Sequence, residues 1–321
     1  MEYLEEIMNT HSLKESSAKQ YASCLNKLEV FFDGNLHETL LGDGAFDKVQ
    51  EFIKDRSHST QKTYNLAVHS ILCGEKHYGG APCKHPYGGP YHRRMRGILE
   101  QITNKEGQQE KTQKQEDNWA TLEELTDLMK KYAEEAKPLM KDDAPLPDII
   151  KIQKWVILSL YLADRENPPI RSEYGDMVVI FKIKGKPLTT PMNPSKNYLF
   201  VKGPRSMEII LNDYKTAGSQ GKKVFKVGKT LGAILRQWLK TVGHQSGDPL
   251  LIKKRGGVLG RNGLSKMLME ITAPIGKRIS VQMLRHIFIT ETLPQPKLSE
   301  KKEIADKMCH SVPTQELYIK N

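Results

Sequence analysis

Residues 281–321 read VQMLRHIFITETLPQPKLSEKKEIADKMCHSVPTQELYIKN. Apolar residues at helical spacing predict a helix from Val281, with Ser280 as its N-cap and Pro294 and Pro296 ending it. Ser299 can cap a second helix, EKKEIADKMCH, whose Glu300 and Glu303 suit the positive end of its dipole. Arg285 sits on an otherwise apolar helix face, a costly place for a cation without an anionic partner. His310 closes the second helix, and Tyr318 follows after seven further residues. An arginine, a histidine and a tyrosine in this order can clamp a phosphodiester, support its transition state and attack it.

Working outward, the segment Ile149–Ala163, IIKIQKWVILSLYLA, is apolar nearly all round and predicts a central buried helix. Pro168 and Pro169 stop it, and Arg171 follows at once. Three strand-like runs come next, Asn197–Val201, Met207–Leu211 and Lys222–Val227. Gly218 and Gly221 mark a hairpin turn between the last two, with Lys215 at its mouth. Helices over Leu231–Val242 and Asn262–Ile271 complete the pattern. The fold class expected is mainly α with one small antiparallel β-sheet.

Residues 1–104 show helical spacing over 13–32, 46–54 and 61–79, and again from Tyr91, with no strand pattern. They predict a domain of four or five helices. Residues 105–118 are rich in Gln, Lys and Glu, a linker composition or an exposed helix with no face to bury. The second domain then runs from 119 to 321. With 321 residues in all, two domains is also the expectation from length.

The formal net charge is +11. Residues 1–104 hold 12 Lys+Arg against 13 Asp+Glu, so the basic excess lies wholly in the remainder. That asymmetry points to a polyanion, most simply nucleic acid. Arg93, Arg94 and Arg96 are the first domain's candidates for such contacts. No apolar run reaches the ~18 residues of a membrane span, and the acidic N-terminus is no secretory signal, so an intracellular protein is expected. Four scattered cysteines, Cys24, Cys73, Cys83 and Cys309, fit free thiols in a reducing compartment. Cys73, His77, Cys83 and His85 have zinc-ligand chemistry, but their spacing fits no common structural zinc pattern. No metal is expected.

Metal-free phosphodiester attack requires a nucleophile, cations on the non-bridging oxygens, a general acid for the leaving oxygen, and fixed geometry. The second domain offers Arg171, Lys215, Gln282 with Arg285, His310 and Tyr318, in that order. Here the chain resembles the tyrosine recombinase (integrase) family over roughly residues 119–321. PPIRSEYGDM matches the arginine that follows a buried helix, and NDYKTAGSQGK matches the hairpin lysine. QMLRH matches the His-x-x-Arg helix, and MCHSVPTQELY matches the histidine and nucleophilic tyrosine. The resemblance implies a helical core-binding domain and a catalytic domain of the DNA breaking-rejoining fold, closing on double-stranded DNA. It implies cleavage through a 3′-phosphotyrosyl link without metal, ATP or cofactor, by dimers to tetramers. The compact form resembles recombinases of large DNA viruses or mobile elements, which would act in a nucleus or a cytoplasmic viral factory.

Two departures matter. Gln282 stands where the family has histidine or lysine; it can donate a hydrogen bond but carries no charge. Only three residues follow Tyr318, which casts doubt on the tail exchange that joins family tetramers. A type IB topoisomerase, which shares the chemistry, and a decayed DNA-binding relative are the competing readings.

Overall fold

The computed structural model of the chain describes residues 2–11, 13–73, 88–164, 169–182, 188, 192–292 and 298–320. The possible zinc-ligand run and the Arg165–Pro168 break fall largely outside these residues. The chain divides into two compact units, Met1–Gln108 and Gln109–Asn321.

The first unit is helical throughout its described residues. It comprises α1 (Glu2–Thr10), α2 (Glu15–Phe31), α3 (Leu36–Leu40), α4 (Ala45–Ile53), α5 (His58–Leu72) and α6 (Gly88–Gly107). Leu25 and Leu28 of α2, Val49 and Ile53 of α4, and Tyr64 and Val68 of α5 form its core with Tyr91. Ser57 Oγ caps α5 by accepting from Thr60 N at 3.3 Å. The described residues form six helices where four or five were expected. α1 and α3 have nine and five residues, too short for periodicity to register. α1 is held instead by tertiary burial of Tyr3 and Ile7. Cys24 is a free thiol, but Cys73 is disulfide-bonded, against the expectation of thiols throughout. Cysteine count and spacing cannot settle such pairing, because it depends on which sulfurs the folded chain brings together.

In the second unit, α7 (Gln113–Asn118) carries a capping box, Thr112 with Gln115, and buries no residue. It is followed by α8 (Leu122–Ala136), α9 (Leu146–Leu162), β1 (Val178–Phe181), β2 (Tyr198–Gly203), β3 (Ser206–Leu211), α10 (Ala217–Gln220) and β4 (Lys223–Lys226). The chain ends in α11 (Lys229–Val242), α12 (Arg261–Thr272), α13 (Val281–Thr292), α14 (Leu298–Lys307) and α15 (Val312–Glu316). α9 is the central helix its all-round hydrophobicity implies, burying Ile152, Val156, Ile157, Leu158 and Leu160. α8, α11 and α12 pack against it.

The sheet has the order β1-β2-β3-β4 and is mixed, correcting the antiparallel expectation. β2, β3 and β4 pair antiparallel, but β1 pairs parallel with β2, Val178 opposite Tyr198. The four-residue run VVIF, with Val179 and Ile180 both buried, lacks the alternation that announces a strand. The link between β3 and β4 holds the short helix α10 rather than a tight turn.

One crossing positions the site. Gly260 N donates to Gly175 O at 2.7 Å. A Cβ on Gly175 would lie 2.5 Å from the Gly260 oxygen, so only glycine permits this approach. Beside it, Arg261 bridges Asp176 and Asp213, each at 2.6 Å. The segment after Arg171 and the loop before Lys215 are thereby tied to the start of α12.

Candidate active site

Arg285 projects from the buried face of α13 and is 0% exposed. Its Nη1 donates to Pro169 O at 2.5 Å, and Nη2 to Met308 O at 3.3 Å. Nη2 also donates to His310 Nδ1 at 3.1 Å. The guanidinium carbon lies 5.0 Å from the Tyr318 ring centroid. Nε has no partner. Arg171 leans in from the far side of the sequence, its Nη1 donating to Cys309 O at 3.3 Å. Neither guanidinium forms an ion pair with a carboxylate among the described residues. Burial, and then the charge of Arg171, weaken Arg285's hold on its proton. Two arginines with only neutral groups for hydrogen-bond partners make an electrostatically unfinished site, costly unless an anion joins it.

His310 is placed by the end of α14. Cys309 takes a left-handed conformation at φ 55. His310 N bonds Ala305 O, and Cys309 N bonds Asp306 O, both at 3.0 Å. This is a Schellman turn with a cysteine where glycine is usual. It aims the Met308 and Cys309 carbonyls at the two arginines. Thr216 Oγ1 also donates to Cys309 O, at 2.9 Å, joining the β3–β4 loop to the same turn. Burial, Arg285 and Arg171 pull the His310 imidazole down to about 3. A guanidinium can only donate, so Nδ1 is an acceptor and the single ring proton sits on Nε2. His310 Nε2–H is buried near the buried side chain of Gln315, whose weak hydrogen bond opposes that downward shift.

Tyr318 reaches the cluster through α15, whose N-cap Ser311 accepts from Thr314 N at 3.3 Å. The phenol is 5% exposed. His286 Nδ1 donates to its backbone carbonyl at 2.9 Å, and the two rings lie 4.7 Å apart. Burial raises the phenol's pKa. Arg285, through charge and hydrogen bonding, then Arg171 and the side chain of the exposed Gln282 outweigh this, and the net shift is downward. Arg171, Gln282, Arg285, His310 and Tyr318 are therefore brought together.

Lys215 is exposed, one residue before Thr216. Lys223, on β4, is more enclosed, pairs with Asp306, and its charge reaches the Cys309 thiol. Lys223 is thus the closer rival for a general acid. Arg93, Arg94 and Arg96 are exposed on α6, in the other unit. Sequence reasoning passed over Glu173, which is 4% exposed beside the arginines with Oε2 unpartnered. Burial raises its pKa, opposed by Arg261, Arg285 and Arg171. Its position two residues after Arg171 was the available signal. Nothing in the sequence marked the left-handed Cys309.

Two buried imidazoles give a pH signature. Burial draws His286 down to about 4, and His310 lies at about 3. Both are neutral when folded near pH 6, whereas unfolded histidine takes up a proton below about 6.5. The unfolded state binds more protons in this window, so stability is full above it and falls toward pH 4. The slope is at most about 1.4 kcal/mol per pH unit for each ring. Glu173 and Asp176, raised by burial, act with the opposite sign. The decisive comparison in urea unfolding between pH 7 and 5 is therefore His286→Asn against the parent. The variant should show the flatter loss, and parallel curves would refute the assignment.

No protein-family model matches the chain, and no curated protein matches it. Among solved structures, the crystal structure of XerA recombinase resembles it at 14% identity and a TM-score of 0.39. The resemblance spans 99% of this chain and 93% of that one. At that identity and score it says nothing of chemistry.

Proposed function

We propose that this protein cuts and rejoins DNA strands at specific sites by transient attachment to Tyr318. The observation that carries this reading is the pair Arg171 and Arg285, converging on a buried phenol without an ion-paired carboxylate among the described residues. A phosphodiester supplies the missing anion. Arg285 and Arg171 would hold its non-bridging oxygens with planar forks, while His310 Nε2–H and the Gln282 amide donate to the same oxygens. The Tyr318 phenol loses its proton to water as its oxygen attacks phosphorus, the bond to the 5′ oxygen breaks, and that oxygen takes a proton from a lysine. The product is a 3′-phosphotyrosyl link and a free 5′-hydroxyl. Attack by a 5′-hydroxyl from a second strand reverses the step. The link conserves the phosphodiester energy, so the residues named suffice for the exchange. The basic excess after residue 104 provides attraction to the backbone of double-stranded DNA, with a steep salt dependence.

The test is incubation with a pool of nicked duplexes of randomised sequence, in which the 5′ fragment diffuses away after cleavage. An adduct that survives denaturing detergent and forms in the presence of a chelator is expected. Its absence across the pool overturns the reading and leaves a DNA-binding relative.

The lysine is assigned by leaving-group chemistry. A duplex whose bridging 5′ oxygen is replaced by sulfur needs no general acid, because a thiolate leaves unaided. Lys215→Ala should slow cleavage of the oxygen duplex roughly 10²–10⁴-fold and cut the sulfur duplex at the parental rate. If Lys223→Ala shows this pattern instead, the role belongs to Lys223.

A further inference from the structure

A cavity of about 480 Å³ opens between the sheet and α11, lined by none of the residues assigned to the tyrosine site. Its floor is apolar: Val201 and Met207 from the β2–β3 hairpin, Leu239 from α11, and Phe181 at the end of β1. Val201, Met207 and Leu239 are 9%, 4% and 5% exposed, so the floor is part of the folded core. Lys182, Arg236 and Lys240 stand around the rim, and no carboxylate among the described residues lines the cavity. Lys240 has an ion pair with Asp142 at 3.5 Å, but both side chains are about three-quarters exposed and that pair holds little. His244, 6% exposed, also lines it. Its Nε2 donates to Pro249 O at 3.0 Å, which leaves Nδ1 as a buried acceptor with no partner.

We propose that this cavity is a docking site for an acidic, amphipathic peptide segment of a partner protein. Leucine- or phenylalanine-like side chains would enter the apolar recess, and Asp or Glu would meet the three cations. Charge complementarity selects the acidic partner. The floor selects peptide over nucleic acid, because a phosphate backbone gains nothing from Val201, Met207 and Leu239, whereas buried apolar side chains contribute about 25 cal/mol per Å². The proposal is independent of the chemistry at Tyr318.

The experiment uses the full chain and fluorescence anisotropy with four labelled probes. The first is a peptide of Asp and Glu interleaved with Leu and Phe. The second replaces Leu and Phe with Ser, the third replaces the acids with Gln and Asn, and the fourth is a single-stranded oligonucleotide of equal charge. The first probe should bind at least tenfold tighter than the second and third. Unlabelled oligonucleotide should not displace it. Lys182→Glu and Lys240→Glu, at exposed rim positions, should each weaken it severalfold, and Arg236→Glu more, with thermal midpoints held near the parent's. Equal binding of the Ser-substituted peptide, displacement by the oligonucleotide, or unchanged affinity in all three variants would each overturn the proposal.

Discussion

Tyr318→Phe should eliminate the covalent adduct while leaving duplex binding within about twofold of the parent. The phenolic oxygen is the attacking atom, so its removal leaves no second nucleophile in the cluster. Cys309, the nearest thiol, is pushed up to about 12 by burial and Glu173 and stays protonated. The loss should exceed roughly 10³-fold, the scale on which removal of an activated nucleophile is felt. Binding survives because the affinity rests on cations that the substitution leaves in place. The ring itself remains, with its packing against Phe288, Ile289 and Met308, so stability should shift by less than about 1 kcal/mol. Adduct formation by the Phe variant at a tenth of the parental rate would remove Tyr318 from its role.

Arg285→Met separates function from stability. A buried arginine that serves the fold through an ion pair is strongly destabilising to remove, by about 3–5 kcal/mol. Arg285 has no ion-paired carboxylate among the described residues, and its charge is held by the Pro169 and Met308 carbonyls and the His310 imidazole. Replacing it with an apolar chain of similar length leaves two carbonyls and His310 Nδ1 short of a donor, at about 1 kcal/mol each. It also relieves a buried charge whose desolvation costs several kcal/mol. The urea midpoint should therefore hold or rise, while cleavage falls by roughly 10³-fold or more through loss of transition-state stabilisation. Arg285→Lys should recover little of that rate, since an ammonium cannot grip two oxygens in a plane. A large drop in midpoint with a modest change in rate would make Arg285 a structural residue.

The helices and the order of the site residues could be read because both are local. Apolar spacing near 3.6 residues marks α2, α5 and α11, all-round hydrophobicity marks α9, and proline and serine mark several helix ends. The parallel strand β1 was missed because a four-residue run with two adjacent buried positions carries no period. The expected hairpin proved to hold α10, since glycines report permissive backbone rather than a particular turn. The arginines were legible as unusual residues in apolar company, whereas Glu173 looked like any polar residue after a turn.

The sequence by itself determined the helical class, the basic second half, and the succession Arg171, Arg285, His310, Tyr318. The class and the charge follow from residue type and near-neighbour spacing, and the succession was picked out as a set of candidates by the family resemblance. Only the tertiary structure decided that Arg171, 138 residues away, shares a turn with His310 through the Cys309 carbonyl. It also decided that Arg285 is wholly buried without a counterion among the described residues, and that Lys223 is more enclosed than Lys215. The physical reason is that desolvation and charge pairing depend on what packs around a group in space. Chain separation contains no record of it until the core has closed.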